Sequence, residues 1–438
     1  MARTDDPIHD PGSTAPDRTD AGGGRNGRPL SRRALLAGGA AAIGGAILHT
    51  AADALSQVPG SLGPPDGPDP TRVQGAPASP RGSRAPGVDL ARVPVARGEV
   101  SFSPLQDLEG IMTPSDLHYE RHHAGIPTID PDRYRLLIHG MVERPTSYSL
   151  ADLKRFPKRS HIGFVECSGN GGGAFRTTNP KMSPQVLDGL FSTSEWIGVP
   201  LSTLLQEVGA DPNASWILAE GSDAALMSRS IPMAKAMEDA LVAFGQNGEP
   251  LRPAQGYPVR LILPGWEGNT QVKWLRRLEL GDRPWMVRDE TDEYTDPMRD
   301  GTARMFTMVM HSKSIITFPA YPAILPEPGW WEVSGLAWSG KGKVARVEIS
   351  ADGGDTWEAA QLQKPVLPRC GTRFRYLWKW DGGPALLMSR ATDETGDVQP
   401  TYQEFLDRRG PGTLFHYNHI RGWRVDSDGN VTYDARAS

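Results

Sequence analysis

The sequence predicts an α+β domain followed by an all-β sandwich. Three observations predict it: aromatic residues are confined to the chain from Phe102 onward, helix and strand patterns are mixed irregularly up to about residue 314, and short strands separated by glycine turns fill the rest. Hydrophobic residues make up 38% and charged residues 23% of the 438 residues, enough for a packed core. The 47 basic and 52 acidic side chains leave a net charge of −5, which is no signature for a nucleic-acid partner. With only Cys167 and Cys370, a disulfide scaffold and any four-thiolate metal or cluster site are excluded. No C-x-x-C-H is present for a c-type haem.

Residues 1–100 contain no aromatic side chain and are rich in Pro, Gly, Asp and Arg, so they are expected to lie outside the globular fold. Within them, Ser31-Arg32-Arg33-Ala34-Leu35-Leu36 opens an apolar run ending at Leu48, and Ala52-Asp53-Ala54 offers a small-x-small cleavage cue. The order of these features reads as a twin-arginine export signal over 1–55, with a chance arginine pair beside an Ala-rich linker as the alternative. The mature protein is then expected in the periplasm or another extracytoplasmic space, without a stable membrane anchor. Residues 56–100 read as a Pro/Gly/Ala linker.

The α+β domain spans 101–314. Strands are expected over 134–139, 161–166 and 257–263, and helices from the Ser149 cap to Phe156, over 200–209 with Gly209 as the stop, and over 232–241. From 315 to 438 strands are expected over 331–338, 344–350, 357–362, 373–380 and 385–391, with turns at Ser339–Gly342, Asp352–Gly354 and Asp381–Gly383 and no helices.

Chemistry concentrates at Glu166-Cys167-Ser168-Gly169-Asn170-Gly171-Gly172-Gly173, where a cysteine ends an apolar strand and opens a glycine-rich loop. A thiolate there can be a nucleophile or a soft metal ligand, and glycines admit a ligand close to the backbone. A buried structural cysteine before a turn remains the alternative, and Cys370, in a sandwich turn, reads as structural. His122 and His123 read as bases, ligands or plain loop residues. Arg260, Lys273 and Arg409 offer charge to an oxyanion or to solvent.

Five segments in one order resolve these alternatives: Leu117–Pro127 (LHYERHHAGIP), Val165–Asn170 (VECSGN), Ser192–Leu201 (STSEWIGVPL), Gly256–Arg260 (GYPVR) and Gln271–Leu275 (QVKWL). Together they resemble the sulfite oxidase family of molybdopterin oxidoreductases over roughly residues 110–430. Glu120–Pro127 and Pro264–Asn269 carry a likeness to its bacterial sulfane and sulfite dehydrogenase branch. Ile315–Val425, with Gly335–Gly340 and Asp352–Trp357, is similar to that family's immunoglobulin-like dimerisation domain.

The resemblance implies molybdenum and molybdopterin as cofactors, with Cys167 as the protein thiolate on the metal. It implies that Tyr119, Glu120, Arg121, His122, His123, Asp223, Gln255, Arg260, Gln271, Val272 and Lys273 hold the pterin and its phosphate. Arg121 and Arg409 would bind an anionic sulfur substrate, and Tyr294 would be the active-site tyrosine. Two departures stand out: Gly171–Gly173 lie where the animal enzymes carry an arginine, with Arg176 nearby, and Gln255 stands where the family often has histidine. The expected function is oxidation of sulfite or of sulfane sulfur on a carrier protein, with electrons leaving to a c-type cytochrome and a homodimer formed through the C-terminal domain. A molybdopterin-dependent methionine sulfoxide reductase and a non-catalytic anion-binding module are the competing readings.

Overall fold

β-Structure dominates the protein, seen in a computed structural model that describes residues 98–436 continuously and further positions between 74 and 95. The twin-arginine run, the apolar stretch after it and the cleavage cue lie outside the described residues.

The first half is built on two five-stranded sheets. One runs in the order Glu249–Pro250, Leu241–Gln246, Phe191–Pro200, Arg159–Glu166, with Arg260–Ile262 also paired to Leu241–Gln246. The other runs Thr146–Tyr148, Leu136–Gly140, Leu275–Gly281, Trp216–Gly221, Ser228–Pro232. Its central pair is parallel, with Leu278 opposite Ile138, and its other pairs are antiparallel. Leu136 and Ile138 point into the core while Leu137 between them is exposed, the period of two that buries one face of a strand. Between the sheets pack Leu201, Leu204 and Leu205, the apolar stripe of the helix Leu201–Glu207.

The expected helices are present but shorter. Ser149 caps Leu150–Leu153: its Oγ accepts from the Asp152 N–H, and the Asp152 carboxylate accepts from the Ser149 N–H at 3.0 Å. This helix stops three residues before Phe156, whose own position before Pro157 disfavours helical backbone. The helix after Pro232 covers Met233–Glu238 only, because Leu241 is taken into a strand opposite Ile262.

The C-terminal half forms two antiparallel sheets. One is ordered Lys313–Phe318, Gly329–Trp338, Thr372–Trp380, Gln361–Leu362, and the other Glu358–Ala359, Val344–Ser350, Ala385–Asp393, Gly422–Val425, Val431–Asp434. Ile315, Val333 and Phe374 of the first share a core with Val347, Leu387 and Trp423 of the second. Two expectations are corrected here. The strand expected over 357–362 breaks at Ala360, and its halves pair with different sheets. The expected absence of helices is overturned by Tyr402–Arg409, which opens with a second reciprocal cap between Thr401 and Glu404.

From Ala85 onward the chain is one compact unit. The C-terminal core also contains Phe164, Leu187 and Phe191, and the Trp338 ring stacks on Phe191 with centroids 4.1 Å apart.

Candidate active site

The strand Arg159–Glu166 ends by delivering Cys167 to the edge of a cleft of about 660 Å³. The loop that follows is tied down at once: the Cys167 N–H donates to Leu190 O at 3.1 Å, and the Asn170 N–H donates to Cys167 O at 2.9 Å. Gly171 turns the chain with φ +93°, and a Cβ there would lie 2.3 Å from an Arg421 Nη2. Burial pushes the Cys167 thiol up, against a backbone hydrogen bond at Gly169 and the charge of Arg121.

Around the thiol the cleft is lined by Tyr119, Arg121, His122, His123, Asp223, Gln255, Arg260, Gln271, Val272, Lys273 and Tyr294. Segments far apart in the chain thus meet where the sequence motifs expected them to. Arg260 lines the cleft, its guanidinium 4.9 Å from the Trp196 ring centroid and donating to the carbonyls of Gln255 and Gln271, each at 3.1 Å. Lys273 donates to Arg121 O at 3.1 Å and Ala254 O at 3.0 Å, and lies 2.7 Å from His122 Nδ1. Neither cation has an ion-pair partner among the described residues. Burial pulls Arg260 down to about 10 and Lys273 well below the ordinary lysine value.

At the cleft's other side Tyr294 Oη lies 3.0 Å from His123 Nε2. Arg229 places its guanidinium 4.8 Å from the Tyr294 ring centroid, and Phe415 packs against the same ring. Burial drives the Tyr294 phenol up and His123 down to about 4, so the phenol keeps its proton and the imidazole is neutral at neutral pH.

Two expected residues lie elsewhere. Glu120 is outside the lining and acts from behind it, accepting from Arg92 and lying 3.2 Å from His122 Nε2. Arg409 lines a separate depression with Arg304, His311 and Arg408, and its Nη1 lies 3.3 Å from Asp296 Oδ2. Arg176 does not line the cleft either: it donates to Tyr417 Oη at 2.8 Å. The charge missing from Gly171–Gly173 is therefore not restored by Arg176.

Sequence reasoning missed His118, Met227, Gly268, Asn269 and Trp274 in the lining, and Arg229, Glu267 and His416 behind it. Gly268 and Asn269 sit in the Pro264–Asn269 motif, a signal that marked the likeness without marking a role. Ser228, Arg229 and Ser230, a polar run in sequence, are all buried.

The donor set fits a large anionic ligand that brings its own metal. Arg260 Nε, Gln271 Oε1 and His118 Nε2 are buried without a hydrogen-bond partner, and the buried Arg260 has no carboxylate paired with it. Among the described residues no group of three or more His, Cys, Asp and Glu side chains could hold a metal ion. A metal at Cys167 would therefore draw its remaining ligands from a cofactor.

Comparison with known proteins agrees with this geometry. The model of the oxidoreductase molybdopterin binding domain matches residues 123–287, and that of the Mo-co oxidoreductase dimerisation domain matches 304–420. Chicken (Gallus gallus) sulfite oxidase is 32% identical, over 67% of this chain and 69% of its own length. Mouse (Mus musculus) mitochondrial sulfite oxidase is 32% identical over 72% of this chain, and the alignment spans 62% of the mouse protein. NADH nitrate reductase 2 of Phaseolus vulgaris is 32% identical over 64% of this chain but only 35% of its own length. Among solved structures, the sulfane dehydrogenase SoxCD of Paracoccus pantotrophus matches with a TM-score of 0.76 and 40% identity, covering 84% of this chain and 99% of that one.

Proposed function

The chain belongs to the sulfite oxidase family of molybdopterin oxidoreductases, and from that premise we propose that it is an exported enzyme that oxidises sulfite or protein-carried sulfane sulfur. The observation that carries this reading is the pairing of a single thiol, Cys167, with two cations that have no ion-pair partner among the described residues, buried Arg260 and half-buried Lys273, in one cleft. A thiolate suits a soft metal, and the cations suit a phosphate. The 40% identity with the SoxCD chain supports the sulfur-oxidising branch.

When bound, the molybdenum cofactor supplies oxygen-atom transfer to the substrate sulfur and takes up the electrons. The chain's own residues bind and orient. Cys167 holds the metal, while Arg260 and Lys273 bind the cofactor's phosphate. Tyr119, His122, Gln255, Gln271 and Asp223 present hydrogen-bonding groups to the pterin. Arg121 offers fixed charge to an anionic substrate. Tyr294 Oη, 3.0 Å from the neutral His123 Nε2, keeps its proton and offers a hydrogen-bond donor beside the cleft. A substrate role for Arg409, electron transfer to a c-type cytochrome and the immunoglobulin-like character of the C-terminal sheets rest on the sequence resemblance, and export by the twin-arginine route rests on the order of the arginine pair, apolar run and cleavage cue in residues 31–54. The dimerisation-domain match supports a homodimer through that half.

Molybdenum quantified by mass spectrometry in matured protein, beside sulfite-dependent reduction of cytochrome c, tests the reading. Wild type should carry molybdenum and turn over, and Cys167→Ser should fold normally and be inactive. Matured protein free of molybdenum, or full activity in Cys167→Ser, would overturn it.

A further inference from the structure

Four fully buried charges lie directly behind the cysteine loop, and none of them faces the cleft. Glu166 and Asp188 come from the first half of the chain, Lys313 and Arg421 from the second, and each is at most 2% exposed. Lys313 Nζ lies 3.0 Å from Glu166 Oε1 and 2.6 Å from Asp188 Oδ1, and donates to Asn170 O at 3.3 Å. Arg421 Nε donates to Asp188 Oδ2 at 3.1 Å. The second carboxylate oxygen of Glu166 accepts from Trp338 Nε1 at 2.6 Å, and the first also accepts from Asn170 Nδ2 at 2.9 Å. The two acids and two bases balance, so no net charge is buried.

The bonds to Glu166 and Asn170 end on the segment that carries Cys167, and those to Asp188 anchor Lys313 and Arg421 beside it. Glu166 is the residue before Cys167. Asn170, gripped through both its side chain and its carbonyl, closes the turn onto Cys167 O and, through its Oδ1, onto the Leu190 N–H at 3.0 Å. A backbone bond from the His416 N–H to Ser168 O at 2.8 Å adds a tether from the second half. Buried ion pairs contribute little net stability over apolar packing, but they fix geometry, because any displacement strands a charge.

We propose that Lys313 and Trp338 are positioning residues for Cys167, so that the C-terminal half is part of the mount of the metal thiolate as well as a dimerisation unit. Side chains contributed from beyond residue 312 add to the loop's own backbone bonds in setting the direction of the sulfur. The proposal rests on Cys167 being the metal ligand.

The test compares wild type, Lys313→Met, Lys313→Arg and Trp338→Phe as full-length chains. Trp338→Phe is the gentle variant, since it deletes one donor to Glu166 and keeps the ring that stacks on Phe191. Two readouts are used. The first is the rate at which iodoacetamide alkylates Cys167 in cofactor-free protein. The second is the protein-sulfur contribution to the molybdenum X-ray absorption spectrum of loaded protein. Alkylation should quicken on the order of tenfold in Lys313→Met and severalfold in Trp338→Phe, the protein-sulfur contribution should weaken in both, and Lys313→Arg should restore much of each. If both folded variants match wild type in alkylation and in sulfur contribution, the positioning role is wrong. If wild type itself shows molybdenum without a protein sulfur, the assignment of Cys167 fails instead, whatever the variants do. Should Lys313→Met not fold, Trp338→Phe alone decides by the same two measurements.

Discussion

Arg260 is held at a cost that folding alone does not explain. It is 2% exposed, its Nε finds no partner, and no carboxylate compensates it. A buried cation of this kind is tolerated where a ligand supplies the missing charge. Replacing it by methionine, of similar length, removes the charge and two bonds to carbonyls. These effects oppose one another, so the cofactor-free variant should differ from wild type by only about 1 kcal/mol in chemical denaturation. Molybdenum retention should nevertheless fall at least about tenfold, the loss of one charge-assisted phosphate contact. Inorganic phosphate should raise the melting temperature of cofactor-free wild type and leave Arg260→Met nearly unmoved. A large stability loss in the variant without any loss of molybdenum would mark Arg260 as a structural residue. Arg121 carries a different expectation: if it binds the anionic substrate as proposed, Arg121→Gln should raise the KM for sulfite with less effect on kcat.

Single elements carry the site as much as single side chains do. The short helical turn Gly268–Thr270 brings Gly268 and Asn269 against the cysteine strand. A Cβ on Gly268 would stand 2.9 Å from Glu166 O and 3.0 Å from Tyr119 Oη, and the first of these is backbone that cannot swing aside. Gly268→Ala should therefore destabilise the protein by about 1–3 kcal/mol in urea unfolding and lower its molybdenum content. Gly173→Ala, where nothing lies within 4 Å of the added Cβ, should do neither. Strand and helix positions around this turn were legible because each obeys a local rule: the Ser149 cap, the stop at Gly209, the alternation at Leu136 and Ile138. What escaped was decided at a distance. Trp357–Leu362 looks continuous, yet its middle crosses from one sheet to the other, and that depends on partners in two separate strands. The Tyr402–Arg409 helix did have a local sign, Thr401-x-x-Glu404, masked by the β-rich context on either side.

At the scale of the whole molecule, the chain beyond residue 315 is mostly strand, with the helix Tyr402–Arg409 set among its sheets. The union of the halves was not readable, because the groups that join them, Glu166 and Asp188 with Lys313 and Arg421, are far apart in sequence and each looks ordinary in its own segment. The same burial of polar groups at the site sets how the entire fold responds to acid. Burial holds His118 down to about 3 and His123 to about 4, whereas in the unfolded chain both titrate near 6.5. Between these values the unfolded state binds more protons than the folded one, so stability falls as the pH drops from about 6.5 towards 4. Burial raises Glu267, but the His416 hydrogen bond and charge, Arg229 and Asn269 outweigh it and hold the carboxyl at about 2, so its contribution is kept above the unfolded value near 4.5 and lost as the pH falls further. Denaturation of cofactor-free protein across this range should show a slope of up to about 1.4 kcal/mol per pH unit for each such histidine. His118→Phe keeps an aromatic ring against Tyr119 and Trp196 while removing the proton site. Its slope should be shallower by one histidine's share from about pH 6.5 down to about 3, the folded value of His118, and unchanged below that, where Glu267 alone continues. An unaltered slope in that variant would place the acid sensitivity outside the cleft.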